Sequence, residues 1–324
     1  MNKLSLVILS IFLSGLVICL PSYGEIPQYG IATQSVINLR LTPSVAAEMG
    51  TQALMGTPVK ILSTEDGWSR LMTPDGYTAW ATDESIQKMD FDQYKAWKIA
   101  PKVIVTTYFA MLRESPNENS EVVSDVVWGD ILRNNGETDG FYNVQLPDSR
   151  VAYLKKDLAM PFDQWIATRL PTAENIIATA KHFIGFPYLW GGTSIKGMDC
   201  SGFTKTCFFL NGVILRRDAS QQAQTGEKID ISKGLDKLKA GDLLFFGSIK
   251  GGKEHVSHVG LYIGMNEFIQ SAGIVHISSL RPTAKNYDAY NTKRLLCARR
   301  ILTCINQDSG IVSIAKSSFY FYRK

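Results

Sequence analysis

Asp199-Cys200-Ser201-Gly202-Phe203, with His258-Val259-Gly260-Leu261-Tyr262-Ile263-Gly264 further along the chain, is the stretch whose reading decides the fold. Phe203, Cys207 and Leu210 recur at i, i+4 and i+7 behind Asp199, a good N-cap residue, so a helix is expected to open at Cys200. The unpaired N–H groups and positive dipole end of that first turn favour a thiolate, and a nearby imidazolium would lower the thiol pKa further. In the second stretch, strand alternation puts His258, Gly260 and Tyr262 on one face and Val259, Leu261 and Ile263 on the other. His258 is then expected to face away from the most apolar side. A thiol at a helix start and an imidazole on a strand make a candidate cysteine-nucleophile site.

Around this pair the pattern is that of an α+β unit beginning near Thr172. Asn175 to Phe183 reads as a helix ending near Gly185, and Gly241 to Phe246 is an apolar run of strand length. Upstream, the chain repeats itself. An ungapped match at an offset of 73 residues aligns Arg40 with Arg113, Pro43 with Pro116, Glu48 with Glu121, Gly56 with Gly129 and Gly67 with Gly140. It continues through Trp68 with Phe141 and Ala79-Trp80 with Ala152-Tyr153. Short β-branched and aromatic runs broken by Gly, Pro, Asn and Asp make each copy a small antiparallel β unit.

Length and composition are consistent with several globular domains: 324 residues, 45% hydrophobic and 20% charged. The net charge of +4 comes with no long basic run interleaved with aromatics, so nothing points to nucleic acid. Met1-Asn2-Lys3, the apolar run Leu4 to Leu20 and Pro21-Ser22-Tyr23-Gly24 read as a signal peptide over residues 1–24, cleaved before Glu25. An uncleaved anchor is the rival reading, and lipidation at Cys19 a minor one. The chain is expected to be exported to the periplasm, cell envelope or exterior, without membrane attachment after cleavage. Downstream of that run, Cys200, Cys207, Cys297 and Cys304 are too few for a disulfide scaffold; Cys207 continues the buried helix face, while Cys297 and Cys304 either pair or stay free.

Five motifs follow one another between about residues 172 and 302: Pro187-Tyr188-Leu189-Trp190-Gly191-Gly192, Asp199 to Phe203, Arg217-Asp218-Ala219-Ser220-Gln221-Gln222, Gly241 to Phe246, and Ser257 to Gly264. In this order they resemble the NlpC-type cell-wall cysteine peptidases, a papain-like family. The Leu-Arg-x-x-Pro and Asp-Gly-(Trp or Phe) signatures of the repeated units are similar to those of bacterial SH3-like barrels. The resemblance implies a multidomain fold: two small all-β SH3-like barrels at 30–90 and 100–160, then an α+β papain-like cysteine peptidase domain at 172–304. A tail at 305–324 carries no interpretable motif. The implied substrate is the peptidoglycan stem peptide L-Ala-γ-D-Glu-diamino acid, cut after γ-D-Glu from a free N-terminal L-Ala, with no cofactor or metal.

Carried over position by position, the resemblance makes Cys200 the nucleophile and His258 the base and then the acid. Gln270, twelve residues after His258, stands where the family commonly has a histidine. Its amide oxygen can still fix the imidazole tautomer, though without charge. His276 is the rival orienter. Tyr188 is implied as an oxyanion donor beside the Cys200 N–H, a role commonly worth about 3 kcal/mol. Asp218 is implied to hold the substrate's free amino group. Trp190, Asp199 and Ser201 belong to the same cleft, with Asp199 expected to cap the helix and Ser201 to support its start. On the first barrel, Glu48 and Tyr77 are candidates for the cleft wall; Glu48 recurs as Glu121, whereas Tyr77 becomes Arg150 in the second copy. The other histidines, His182, His255 and His276, read as surface or loop residues. Rival functions are a non-catalytic peptidoglycan-binding protein and a thiol acyltransferase or amidase on the same fold.

Overall fold

The structure, a computed structural model, describes residues 28–322. The expected signal peptide at 1–24 therefore lies outside the described residues. Among those described, no helix is long and apolar enough to cross a membrane.

The first β unit comprises β1 (Tyr29–Ala32), β2 (Val36–Arg40), β3 (Met49–Leu54), β4 (Pro58–Glu65), β5 (Trp68–Met72), β6 (Thr78–Thr82) and β7 (Ile86–Met89). The second comprises β8 (Lys102–Val105), β9 (Phe109–Arg113), β10 (Val122–Val127), β11 (Ile131–Thr138), β12 (Phe141–Gln145), β13 (Val151–Lys155) and β14 (Ala159–Pro161). Their strand orders are β3-β2-β6-β5-β4-β1-β7 and β10-β9-β13-β12-β11-β8-β14, so the second sheet reproduces the first strand for strand. The local chemistry repeats as well. Glu65 pairs with Trp68 and Thr138 with Phe141, leaving Asp66-Gly67 and Asp139-Gly140 as two-residue turns with positive φ throughout. Asp-Gly suits the primed turn that matches strand twist. Alternate residues turn inward: Ile37 and Leu39 in one unit, Ala110 and Leu112 in the other. Each fully buried Leu or Ile stabilises its unit by about 1.5–3 kcal/mol.

The repeat runs past the sheets. Helices α1 (Phe91–Ile99) and α2 (Phe162–Thr168) both open with Phe-Asp-Gln and bury the next aromatic, Tyr94 or Trp165. Their spacing is two residues short of the 73-residue offset, which hides them from an ungapped match.

The α+β unit continues with α3 (Ala173–His182), β15 (Thr193–Ser194), β16 (Gly197–Met198), α4 (Cys200–Phe209), β17 (Val213–Leu215) and α5 (Ala219–Gln222). After them come β18 (Glu227–Ile229), β19 (Leu243–Lys250), β20 (Lys253–Gly264), β21 (Glu267–Ala272), β22 (Ile274–Ser279), α6 (Ala289–Thr292), β23 (Leu295–Arg300) and β24 (Ile311–Ser313). An antiparallel six-stranded sheet runs β18-β23-β19-β20-β21-β22. Phe203 and Cys207 of α4 share one core with Val259, Leu261 and Ile269. His258's own face is not a solvent face: cross-strand from Phe246, it adjoins a smaller cluster of Phe246, Tyr262 and Phe268. The larger core is on the other side of the strand.

The tail without a motif is an integral part of the fold. β24 pairs with β17, and Tyr320, buried, joins Phe162, Trp165 and Ile214 in one cluster. Tyr94 Oη and Lys98 Nζ donate to the carbonyls of Phe319 and Ser318. Cys297 and Cys304 are both free thiols, as are Cys200 and Cys207.

Candidate active site

The nucleophile position is built at the start of α4. Asp199 is the N-cap, its Oδ1 accepting from Gly202 N at 2.7 Å and its Oδ2 from Gly191 N at 3.0 Å. Gly202 has no room for a side chain, since a Cβ would lie 2.0 Å from Gly192 O. The Trp-Gly-Gly turn can thus seat directly on the helix start. Arg217, only 2% exposed, forks onto the same carboxylate: Nη1 donates to Oδ1 at 3.1 Å and to Ser201 Oγ at 2.9 Å, while Nη2 pairs with Oδ2. Its Nε reaches across to Thr51 Oγ1 of the first β unit at 3.0 Å. Planar bidentate pairing fixes the geometry of the turn that carries Cys200.

His258 is held from behind. Its Nε2 is 2.6 Å from Oε1 of Gln270, which is 1% exposed. Of the two candidate orienters, Gln270 is the one against the imidazole. His276 instead sits 3.4 Å from the Gln270 amide nitrogen, with its Nδ1 2.9 Å from Ile274 O. Gln270 Nε2 donates to Ser278 Oγ at 2.8 Å and to Asp288 Oδ2 at 2.9 Å, and Asn291 Nδ2 donates to Gln270 Oε1 at 3.1 Å. Sequence reasoning singled out neither Arg217 as a site residue nor Asp288 and Asn291 at all. Arg217 stands in a quoted motif beside Asp218, but its partners are distant in sequence; Asp288 and Asn291 carry no local signal beyond an N-cap spacing.

Nine of the ten sequence-derived site residues line one cleft of about 200 Å³: Glu48, Tyr77, Tyr188, Trp190, Asp199, Cys200, Ser201, Asp218 and His258. Gln270 lies behind it. At its rim Tyr188 is half-buried, beside Trp190, which is 62% exposed. Trp190 Nε1 donates to Glu48 Oε1 at 2.7 Å, joining the α+β unit to the barrel wall. Gly191, at φ +78°, lets the barrel backbone come in; a Cβ there would lie 2.3 Å from Met49 O. No residue of the second β unit lines the cleft, and Arg150, which stands where Tyr77 does, turns to Asp148 on the surface. A separate, smaller cavity between the first unit, α4 and Tyr320 contains the Asp75–Lys205 ion pair and none of these residues.

The electrostatics correct one expectation. Cys200 is 8% exposed, and burial, helped by the Asp199 carboxylate, pushes its thiol up to about 11. The N–H groups of Val259 and Ser201 and the Arg217 charge pull the other way and lose, the last because Arg217 is already paired with Asp199. His258 is pushed below the ordinary imidazole value, chiefly by burial. Both directions favour the neutral form, so the resting pair is thiol and imidazole rather than the expected thiolate and imidazolium. Cys200 and His258 line the same cleft. The arrangement can therefore make its thiolate by passing the proton to His258 as it attacks. Burial also raises Asp218 and Tyr188 above their ordinary values, so Tyr188 keeps its proton and remains a hydrogen-bond donor at neutral pH.

Comparison with known proteins places this geometry in context. A model of the NlpC/P60 family matches residues 185–300, and one of the bacterial dipeptidyl-peptidase Sh3 domain matches residues 39–86. The chain is 33% identical over 235 residues to gamma-D-glutamyl-L-lysine dipeptidyl-peptidase of Bacillus cereus, covering 70% of this chain and 68% of that protein. It is 32% identical to the protein of the same name from Bacillus subtilis, covering 68% and 71%. The crystal structure of an NlpC/P60 family protein from Bacillus cereus superposes with a TM-score of 0.71 at 26% identity, over 85% of this chain and 99% of that one.

Proposed function

This chain belongs to the NlpC/P60 family and is a cysteine peptidase, and we propose that it cuts the γ-D-glutamyl to diamino acid bond of peptidoglycan stem peptides, releasing L-Ala-γ-D-Glu. The observation that carries this reading is the composition of the cleft. Cys200 and His258 share it with Asp218 and Glu48, and the first barrel walls it. Asp199 is ion-paired with Arg217, so among the described residues the cleft carboxylates with no ion-pair partner are those of Asp218 and Glu48, the latter accepting from Trp190 Nε1. A cleft with that balance suits an ammonium group near the scissile bond, as a free N-terminal L-Ala presents.

In the proposed reaction Cys200 Sγ attacks the γ-carbonyl carbon while His258 takes the thiol proton. The Cys200 backbone N–H, one of the open donors of a helix start, and the Tyr188 hydroxyl receive the oxyanion. The imidazolium gives its proton to the departing amine, leaving a thioester. His258 then removes a proton from water, which attacks the thioester and restores the thiol. Residues 1–24 support export to where such peptides occur.

Mass spectrometry of L-Ala-γ-D-Glu-L-Lys and of the diaminopimelate tripeptide, each incubated with the protein and with its Cys200→Ala variant, tests the reading. The expected result is L-Ala-D-Glu from the unsubstituted protein alone. Absence of that product from a folded, alkylatable protein would overturn it.

A further inference from the structure

The third position of the site carries an amide where a charged or chargeable group would do more for an imidazolium, and the structure shows what stands behind that amide. Gln270 Nε2 faces three acceptors: Asp288 Oδ2 at 2.9 Å, Ser278 Oγ at 2.8 Å and His276 Nε2 at 3.4 Å. Its Oε1 faces Asn291 Nδ2 at 3.1 Å and His258 Nε2 at 2.6 Å. Asn291 Nδ2 also donates to Asp288 Oδ2 at 2.7 Å, and Asp288 Oδ1 accepts from Asn291 N at 2.9 Å. Turning the Gln270 amide over would set its oxygen against the Asp288 carboxylate and its nitrogen against the Asn291 amide nitrogen. Both are repulsive, so a single orientation survives.

We propose that Asp288 is a positioning residue for catalysis: its carboxylate locks the Gln270 amide oxygen toward His258, holds the ring as the Nε2–H tautomer with Nδ1 as the base, and supplies through Gln270 the negative charge that the amide lacks. This rests on the reading of Cys200 and His258 as the reacting pair. Asp288 caps the short helix α6, so one carboxylate serves both the backbone turn and the amide. The imidazolium formed when Cys200 gives up its proton then has an anion one hydrogen-bonded group away. The charged and titratable groups acting on His258 are Asp288, which favours its protonation, and Arg294 and His276, which oppose it. Arg294 is itself tied to Ser257 Oγ at 2.6 Å and lies over Tyr290.

The test needs no substrate. The rate of iodoacetamide alkylation at Cys200, read by peptide mass spectrometry against pH, reports proton transfer to His258, and side-chain 15N NMR reports the tautomer. In Asp288→Asn, Cys200 alkylation at pH 7 is expected to fall about tenfold to hundredfold, the scale of one lost hydrogen bond to a charged group. Its acid limb should move to lower pH, because an anion that favoured the imidazolium is gone. The Nε2–H signature should give way to a tautomer mixture, and on a cleavable peptide kcat should fall with KM nearly unchanged. Asp288→Ser keeps an N-cap oxygen for α6 and decides the matter should Asp288→Asn not fold. Ser278→Ala, which removes a neutral acceptor and leaves the Asp288 carboxylate on the amide, should slow alkylation less than Asp288→Asn does. Unchanged tautomer, alkylation rate and acid limb in a folded Asp288 variant would overturn the proposal. Slowed alkylation in the variant of a protein that cuts no stem peptide would sustain it while removing the proposed substrate.

Discussion

The two β units share strand order, Asp-Gly turns and a trailing Phe-Asp-Gln helix, yet only the first touches the cleft. The difference sits at corresponding positions. Gln52 on β3 is buried against β15, its Oε1 accepting from Thr193 N at 2.9 Å and Ser194 Oγ at 3.1 Å. Asp125, its counterpart on β10, is half-buried and bridges buried Ser35 and exposed Lys196. Tyr77 borders the cleft, whereas Arg150 pairs with Asp148 on the surface. A repeated scaffold thus acquired two tasks through a few edge residues: one copy became part of the site, and the other supports it from outside.

The largest effect separating the copies is expected at their ties to the peptidase unit. Arg217→Met, which strips the buried partner from Asp199 and the link to Thr51, should cost about 3–5 kcal/mol in urea unfolding. Lys196→Met, which removes the exposed tie to Asp125, should cost about 0–1 kcal/mol. Equal losses would erase the distinction between a buried and an accessory contact. Next, Gln52→Ala leaves Thr193 N without its buried acceptor and should cost about 2 kcal/mol, against about 1 kcal/mol or less for Asp125→Ala, measured by the same midpoints.

On activity, Tyr77→Phe should lower kcat/KM for a free tripeptide about threefold to tenfold, the value of one hydrogen bond. Arg150→Ala, at the matching place in the second copy, should stay within about twofold. A larger effect of Arg150 would bring the second barrel into the cleft. The smallest expected signal is in pH. Because burial holds His258 below the ordinary imidazole value, the acid limb of Cys200 alkylation should lie below about pH 6.5. Unfolded chains then bind the proton first, so His258's contribution to stability is present above that value and is lost as pH falls through the folded pKa.

What could be read from sequence was what is encoded locally. Asp199 as N-cap, the 3.6-residue spacing of Phe203 and Cys207, and the alternation around His258 are short-range signals, and the helix and strand formed where they pointed. Gln270 could be found through the family resemblance, which implies a polar partner for His258 on the following strand. Arg217 and Asp288 could not, because their roles in the site arise from partners sixteen or eighteen residues away, or on another domain. The thiol's upward shift was illegible for a related reason: a helix start can be read from residues, but the burial that outweighs it is set by the packing of the α+β core around Cys200. Phe319-Tyr320-Phe321 has no periodicity to betray that it packs against α2 and the carboxyl end of α1.

The central claim, that one cleft joins the thiol to a carboxylate-lined pocket for a free amino terminus, is tested most directly by kcat/KM for L-Ala-γ-D-Glu-L-Lys and its N-acetyl form in the protein and in Asp218→Asn. The expected result is a preference for the free peptide of at least about a hundredfold, since acetylation leaves a half-buried carboxylate without its cation, falling below about tenfold in the variant. An N-acetylated peptide cut as fast as the free one by the unsubstituted protein would contradict it.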